Sequence, residues 1–187
     1  MAHSELALRR ARRAYERSHL LSGLRGLALA GGLALAAIAL HRTTPATWLV
    51  AGVLGATLAT FGWRGGPWRR GGLAGMIAGV PVFVTPALYF VVTHGGHCAS
   101  CALAPTLPCL LVCFGTSALV GVLVGHHALR DASSRRYAVA ALATASLAGL
   151  VGCGTLGFGG AVGVAIGLFA GGLTGWFVGN REAHAQA

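Results

Sequence analysis

Six apolar stretches divide this chain, each close to the length at which a helix crosses a bilayer, about 20 residues. They cover residues 20–40, 46–63, 72–93, 107–124, 137–154 and 158–178. Of the 187 residues, 55% are hydrophobic and 10% are charged, which is more apolar surface than one soluble domain of this size can bury. The sequence therefore predicts an all-α integral membrane bundle of six transmembrane helices. A re-entrant pair at the C-terminus is the alternative, because the glycine-rich end of the fifth stretch runs into the sixth.

The arginines predict the orientation of this bundle. If the N-terminus is cytoplasmic, all but one of the 14 basic residues lie on the cytoplasmic side, and only Arg42 lies outside. The cytoplasmic set is Arg9, Arg10, Arg12, Arg13, Arg17, Arg25, Arg64, Arg69, Arg70, Arg130, Arg135, Arg136 and Arg181. We expect a multi-pass protein of the bacterial inner membrane with residues 1–19 as a basic cytoplasmic segment, residues 20–179 as the membrane domain and residues 180–187 as a cytoplasmic tail. The net charge of +10 then indicates contact with anionic headgroups rather than direct nucleic-acid binding.

A cluster of soft ligands follows the third stretch on the predicted outer side. His94, Cys98 and Cys101 have an H-x3-C-x2-C spacing, which lets one imidazole and two thiolates reach a single tetrahedral ion. His97, Cys109 or Cys113 would supply the fourth ligand. Such a donor set suits zinc or copper(I).

Two other interpretations of the outer cysteines stay open. Cys98 and Cys101 form a C-x-x-C pair that can close an exchangeable disulfide, with Cys109 or Cys113 as the resolving thiol. Alternatively, the five cysteines, of which Cys153 is the last, form disulfides that only stabilise the ends of the helices.

The acidic residues exclude several classes of function. Glu5, Glu16, Asp131 and Glu182 are the complete set, and all four are predicted to be cytoplasmic. Proton-coupled transport, paired-carboxylate hydrolysis and hard-cation binding therefore lack their usual ligands. Since no serine lies in a nucleophile-elbow motif either, the sequence predicts a protein that is not an enzyme.

Glycines recur at every fourth position of the sixth stretch, which places them in one shallow groove where another backbone can approach. They are Gly159, Gly163, Gly167, Gly171, Gly175 and Gly179. Shorter stripes of small residues occur at Gly71, Gly75 and Gly79, at Gly121 and Gly125, and at Ala141, Ala145, Gly149 and Cys153. They predict close packing within the bundle, with a homodimer seam as the alternative.

The third stretch contains Pro81 and Pro86, which remove backbone donors and predict a bent helix. Because this helix leads into the cysteine loop, we hypothesise that oxidation or metal loading outside shifts its inner end near Arg69 and Arg70. The alternative is a static kink, which is the commoner case.

Residues 4–17 form a short basic segment that is too short to fold alone but is suited to lie on headgroups or meet a partner helix. Leu8 and Tyr15 lie on its narrow apolar edge. The residues predicted to contact a partner are Leu8, Arg9, Arg12, Arg13 and Tyr15. The alternative is a positively charged flank that only orients the chain in the membrane.

The pattern of six spans, a cysteine at the outer start of the fourth (Cys109 or Cys113) and another at the outer end of the fifth (Cys153) resembles the NrsF-type family. These proteins are six-span bacterial membrane anti-sigma factors. The similarity is clearest from Pro108 to Arg181. It implies that the N-terminal segment holds a cytoplasmic sigma factor until a signal through the outer cysteines releases it. The cluster from His94 to Cys101 is additional and points to a metal-responsive relative.

Three functions follow as expectations. The first is a membrane-embedded regulator that senses redox state or a soft metal. The second is a carrier of soft metal or thiol redox equivalents, which would need a polar route through the spans. The third is a purely structural membrane subunit.

Overall fold

A computed structural model describes residues 16, 20–21, 23–36, 45–94, 107–131, 133–153 and 158–185 of the chain. Within these ranges all regular structure is α-helical and no strand occurs. The helices are α1 (Gly23–Ala36), α2 (Pro45–Arg64), α3 (Gly66–His94), α4 (Leu107–Ala128), α5 (Ser134–Cys153) and α6 (Phe158–Ala185). The predicted all-α class is confirmed.

Two of these helices contain segments that are long and apolar enough to cross a membrane. The segments are Leu110–Ala128 in α4 and Gly160–Arg181 in α6. These lengths and compositions associate the protein with a membrane, whereas six spans remain a prediction.

Several helices extend beyond the apolar stretches from which they were predicted. Helix α3 begins at Gly66 rather than at residue 72, α5 begins at Ser134 rather than at residue 137, and α6 ends at Ala185 rather than at residue 178. The added residues are largely polar or charged, such as Arg135 and Arg136 in α5. Hydropathy marks where a helix is apolar, whereas the backbone hydrogen bonds continue through good helix formers such as arginine.

A glycine turn joins α2 to α3. Gly65 and Gly66 have φ angles of 67° and 51°, a left-handed conformation that costs least for glycine. The Gly65 N–H donates to the Phe61 carbonyl oxygen at 3.1 Å, which closes the end of α2. The turn places Arg69 and Arg70 in the first turns of α3.

Helix α4 packs most extensively on α6, and α3 packs most extensively on α5. Two apolar clusters fill the interior. One joins α1, α2, α3 and α5 around Leu54, Leu58 and Val151. The other joins α3, α4, α5 and α6 around Val82, Val164 and Leu168.

Large apolar side chains cover the outer surface of the helices. Ile77 on α3 is 72% exposed and Phe169 on α6 is 69% exposed, while the residues buried between helices include many alanines and glycines. A soluble helix keeps its large apolar residues inside and its polar residues outside. The opposite arrangement here is the one that lipid-facing helices show.

Candidate functional site

The arginines that the structure describes lie at one end of the bundle. We call this the arginine end and define it by Arg25, Arg64, Arg69, Arg70, Arg130, Arg135, Arg136 and Arg181. Contacts between helices show that these helix ends lie side by side. Arg25 in α1 and Arg69 in α3 line one cavity. A Cβ on Gly71, next to Arg70 in α3, would meet the carbonyl oxygen of Tyr137, next to Arg136 in α5. All eight arginines are exposed.

An ion pair ties the start of α3 to the turn between α4 and α5. Arg70 Nη1 lies 3.2 Å from Asp131 Oδ2, and the side chains are 65% and 8% exposed, respectively. Asp131 Oδ1 also accepts a hydrogen bond from the Ser133 N–H at 3.0 Å. The carboxylate is thus held from two sides at the arginine end.

The opposite end carries the described members of the predicted ligand cluster. We call it the cysteine end; α3 and α5 finish there, and α4 and α6 begin there. His94 is the last residue of α3, Cys109 lies in the first turn of α4, and Cys153 is the last residue of α5. The backbone therefore brings one predicted histidine and two predicted cysteines to the same end.

Cys113 lies one turn further into α4, and its side chain is fully buried, with 0% exposed. It belongs to the apolar cluster that includes Val82 and Val164. A Cβ on Gly163 would lie 3.8 Å from the Cys113 Cβ, so the thiol side of α4 faces α6. An oxidant or metal could therefore reach Cys113 only after local opening of this interface.

The remaining predicted ligands, His97, Cys98 and Cys101, lie outside the described residues. In the part of the chain that the structure describes, no group of three histidine, cysteine or acidic residues gathers around one point. The predicted partner residues Leu8, Arg9, Arg12, Arg13 and Tyr15 also lie outside it.

The glycine stripe of α6 faces α4. A Cβ on Gly171 would collide with the Ala118 carbonyl oxygen, and a Cβ on Gly175 would collide with that of Val122. A Cβ on Gly167 would lie 2.6 Å from the Phe114 carbonyl oxygen, and a Cβ on Gly179 would collide with the Leu129 side chain. Gly159 lies on α6, but its surroundings are outside the described set. In the single chain α4 therefore occupies this groove, and the homodimer seam stays an untested alternative.

The glycines of α3 face α5 in the same manner. A Cβ on Gly75 would collide with the Ala141 carbonyl oxygen, and one on Gly79 would lie 2.5 Å from the Ala148 Cβ. The Thr144 hydroxyl adds a polar contact, since it lies 2.8 Å from the Ala140 carbonyl oxygen in its own helix and 3.1 Å from that of Gly72 in α3.

The buried hydroxyl groups of Ser117 and Thr144 are hydrogen-bonded to backbone carbonyl oxygens. Ser117 donates to the Cys113 carbonyl oxygen at 2.5 Å, and Thr144 has carbonyl oxygens within reach as above. No buried side-chain nitrogen or oxygen among the described residues lacks a hydrogen-bond partner. These hydroxyls therefore offer no chain of unsatisfied polar groups along which an ion could pass.

A small cavity opens at the arginine end between α1, α2 and α3. Arg25 and Arg69 line it, with Phe61, Leu58 and Leu73 as its apolar walls. Sequence reasoning missed this juxtaposition, because the two arginines are far apart in the chain and belong to no motif. The only signal was that both were assigned to the same side of the membrane.

Comparison of the chain with protein-family models, curated proteins and solved structures finds no match in any of the three.

Proposed function

We propose that the protein is a six-span regulator of the bacterial inner membrane, with both termini in the cytoplasm. Its N-terminal segment holds a cytoplasmic sigma factor, and its outer cysteine and histidine residues sense redox state or a soft metal such as zinc or copper(I). The observation that carries the proposal is α3, a single helix that joins the cysteine end at His94 to the arginine end at Gly66.

The distribution of residues along the bundle supports the membrane orientation. Arginines at one end suit a cytoplasmic surface, because cytoplasmic flanks of membrane helices are enriched in arginine. Trp48 and Trp63 are 56% and 64% exposed near opposite ends of α2, about 22 Å apart along a helix. Tryptophans in such positions suit the two membrane interfaces.

The packed interior supports a regulator rather than a carrier. Backbone contacts through glycine fill the space between α4 and α6 and between α3 and α5. The buried hydroxyls of Ser117 and Thr144 already have carbonyl partners. A carrier needs polar groups along a route through the membrane, and the described helices do not supply one.

The contacts of α3 offer a route by which an outer event reaches the cytoplasm. Gly71, Gly75 and Gly79 fit closely against α5, so α3 can move only together with α5 or by sliding along it. Arg70 in the first turns of α3 is paired with Asp131 in the α4–α5 turn. We expect a change in the segment after His94 to shift the arginine end, where α1 begins at Gly23.

The test is to purify the full chain in mild detergent, with and without reductant, and to identify the soluble proteins that bind to it. We expect a sigma factor to bind, and we expect deletion of residues 4–17 to abolish binding while membrane insertion is kept. The matched control is Arg135→Gln/Arg136→Gln, which removes two arginines at the same end but leaves the N-terminal segment intact. Equal binding by the deletion variant and the wild type would contradict the proposal.

Sensing is tested with a second set of variants. Reductant or metal should change sigma-factor binding in the wild type, and this response should disappear in Cys98→Ser/Cys101→Ser. Cys113→Ala should keep the response, because Cys113 is buried in the interface with α6. If all three proteins behave alike, the cysteines act only as structural residues.

A further inference from the structure

The cavity between α1, α2 and α3 has the charge of an anion-binding site. Its volume is about 40 Å³, and Arg25 and Arg69 line it from two different helices, α1 and α3. None of the described residues that line it is acidic. Two cations beside one small cavity, without a carboxylate between them, attract a compact anion.

Arg25 and Arg69 differ from the neighbouring arginines in their side-chain contacts. Arg70 is paired with Asp131, and the guanidinium carbon of Arg64 lies 5.3 Å from the centroid of the Trp68 ring. Among the residues the structure describes, neither Arg25 nor Arg69 has an ion pair or a ring contact. Their hydrogen-bond donors are therefore available to a ligand, and a guanidinium can bind a phosphate group through two parallel hydrogen bonds.

Glycines shape the inner surface of the cavity. A Cβ on Gly26 would lie 2.9 Å from the Leu58 Cβ, so α1 approaches α2 closely and brings Arg25 near the start of α3. Gly72 has no Cβ, and a Cβ at this position would lie only 3.3 Å from Phe61 Cδ2. Phe61 is in turn stacked on Trp68, with ring centroids 5.3 Å apart. The walls between the two arginines are therefore largely apolar.

An exposed apolar face continues from the cavity along α3. Leu73 lines the cavity, and Ile77, Val80 and Val84 follow it at helical spacing, all exposed. This face runs about 16 Å away from the arginine end. It could accommodate an acyl chain attached to an anion that lies between the arginines.

We propose that the cavity binds the phosphate group of an anionic phospholipid in the cytoplasmic leaflet, with the acyl chain along the exposed face of α3. Free inorganic phosphate shares the headgroup chemistry but makes no use of the apolar face. The choice of leaflet rests on the proposed membrane orientation. The binding site itself depends neither on that orientation nor on a sigma factor.

The test measures binding of phosphatidylglycerol and phosphatidylcholine to the full chain in detergent by native mass spectrometry. We expect one phosphatidylglycerol to bind in preference to phosphatidylcholine. Arg25→Gln/Arg69→Gln should weaken phosphatidylglycerol binding about 10- to 30-fold, and each single variant about three- to tenfold. The control Arg135→Gln/Arg136→Gln removes the same charge at the same end and should change binding less than about twofold, because these arginines do not line the cavity.

Equal weakening in both double variants would overturn the proposal, because it would indicate only a diffuse attraction between charges. Equal binding of the two lipids would also overturn it. Inorganic phosphate is tested in a separate arm, as protection of Arg25 and Arg69 from modification by phenylglyoxal. If it protects as well as phosphatidylglycerol does, the assignment to a lipid is wrong. The single variants keep the test decisive if the double variant does not fold. Since no sigma factor is present in these assays, their failure is distinct from that of the proposed function.

Discussion

At Gly171 there is no room for even one more carbon atom. A Cβ there would overlap the Ala118 carbonyl oxygen of α4, which cannot move without the α4 backbone. We therefore expect Gly171→Ala to destabilise the α4–α6 pair by about 1–3 kcal/mol, the usual cost of overpacking. The measurement is the loss of helical structure as the fraction of denaturing detergent is raised.

Gly115 provides the matched control for this substitution. It also lies in the α4–α6 pair, but a Cβ at this position would have no atom within 4 Å. Gly115→Ala should be neutral or slightly stabilising, because alanine favours a helix more than glycine does. Similar stability of the two variants would mean that the close approach at Gly171 does not contribute to the fold.

At the scale of the helices, sequence spacing predicted which faces pack closely but not which helices meet. The stripe from Gly163 to Gly179 on α6 and the stripe from Gly71 to Gly79 on α3 indicate where a backbone can approach. Either stripe would fit any helix with a matching groove. The pairing of α4 with α6 and of α3 with α5 depends on the complete set of contacts, which no local pattern contains.

The ion pair between Arg70 in α3 and Asp131 in the α4–α5 turn gives a testable prediction. Asp131→Asn should keep an oxygen for the Ser133 N–H but lose the ion pair with Arg70, whereas Asp131→Ala loses both. Because Arg70 is 65% exposed, the pair should contribute no more than about 1 kcal/mol. The alanine variant should cost about 1 kcal/mol more, since it also removes a hydrogen bond that orders the turn.

A double-mutant cycle of Asp131→Asn with Arg70→Gln measures this ion pair. We expect a small coupling energy that decreases as salt is added. The free energy of unfolding in mild detergent is the quantity to compare. If Asp131→Asn and Asp131→Ala destabilise equally, the hydrogen bond to Ser133 does not order the turn.

For the whole molecule, composition and hydropathy were sufficient to predict a bundle of apolar helices. They could not predict the cavity at Arg25 and Arg69, since it forms only when α1 lies against α2 and the Gly65–Gly66 turn returns the chain into α3. They also could not distinguish Cys109 from Cys113. The two differ by one helical turn, and only the packing of α6 shows that Cys113 is buried.

The separation of the arginine end from the cysteine end predicts opposite accessibility in intact cells. In a background in which all five cysteines are replaced by alanine, we compare a chain that regains only Cys98 with a chain that carries Ser133→Cys. A membrane-impermeant maleimide should label Cys98 in intact cells, because the proposed orientation places the segment after His94 on the outer side. It should label position 133 only after lysis, because the α4–α5 turn lies among arginines, which membrane insertion retains in the cytoplasm. Labelling of position 133 in intact cells would place the basic surface outside and would remove the route by which an outer thiol could control a cytoplasmic partner.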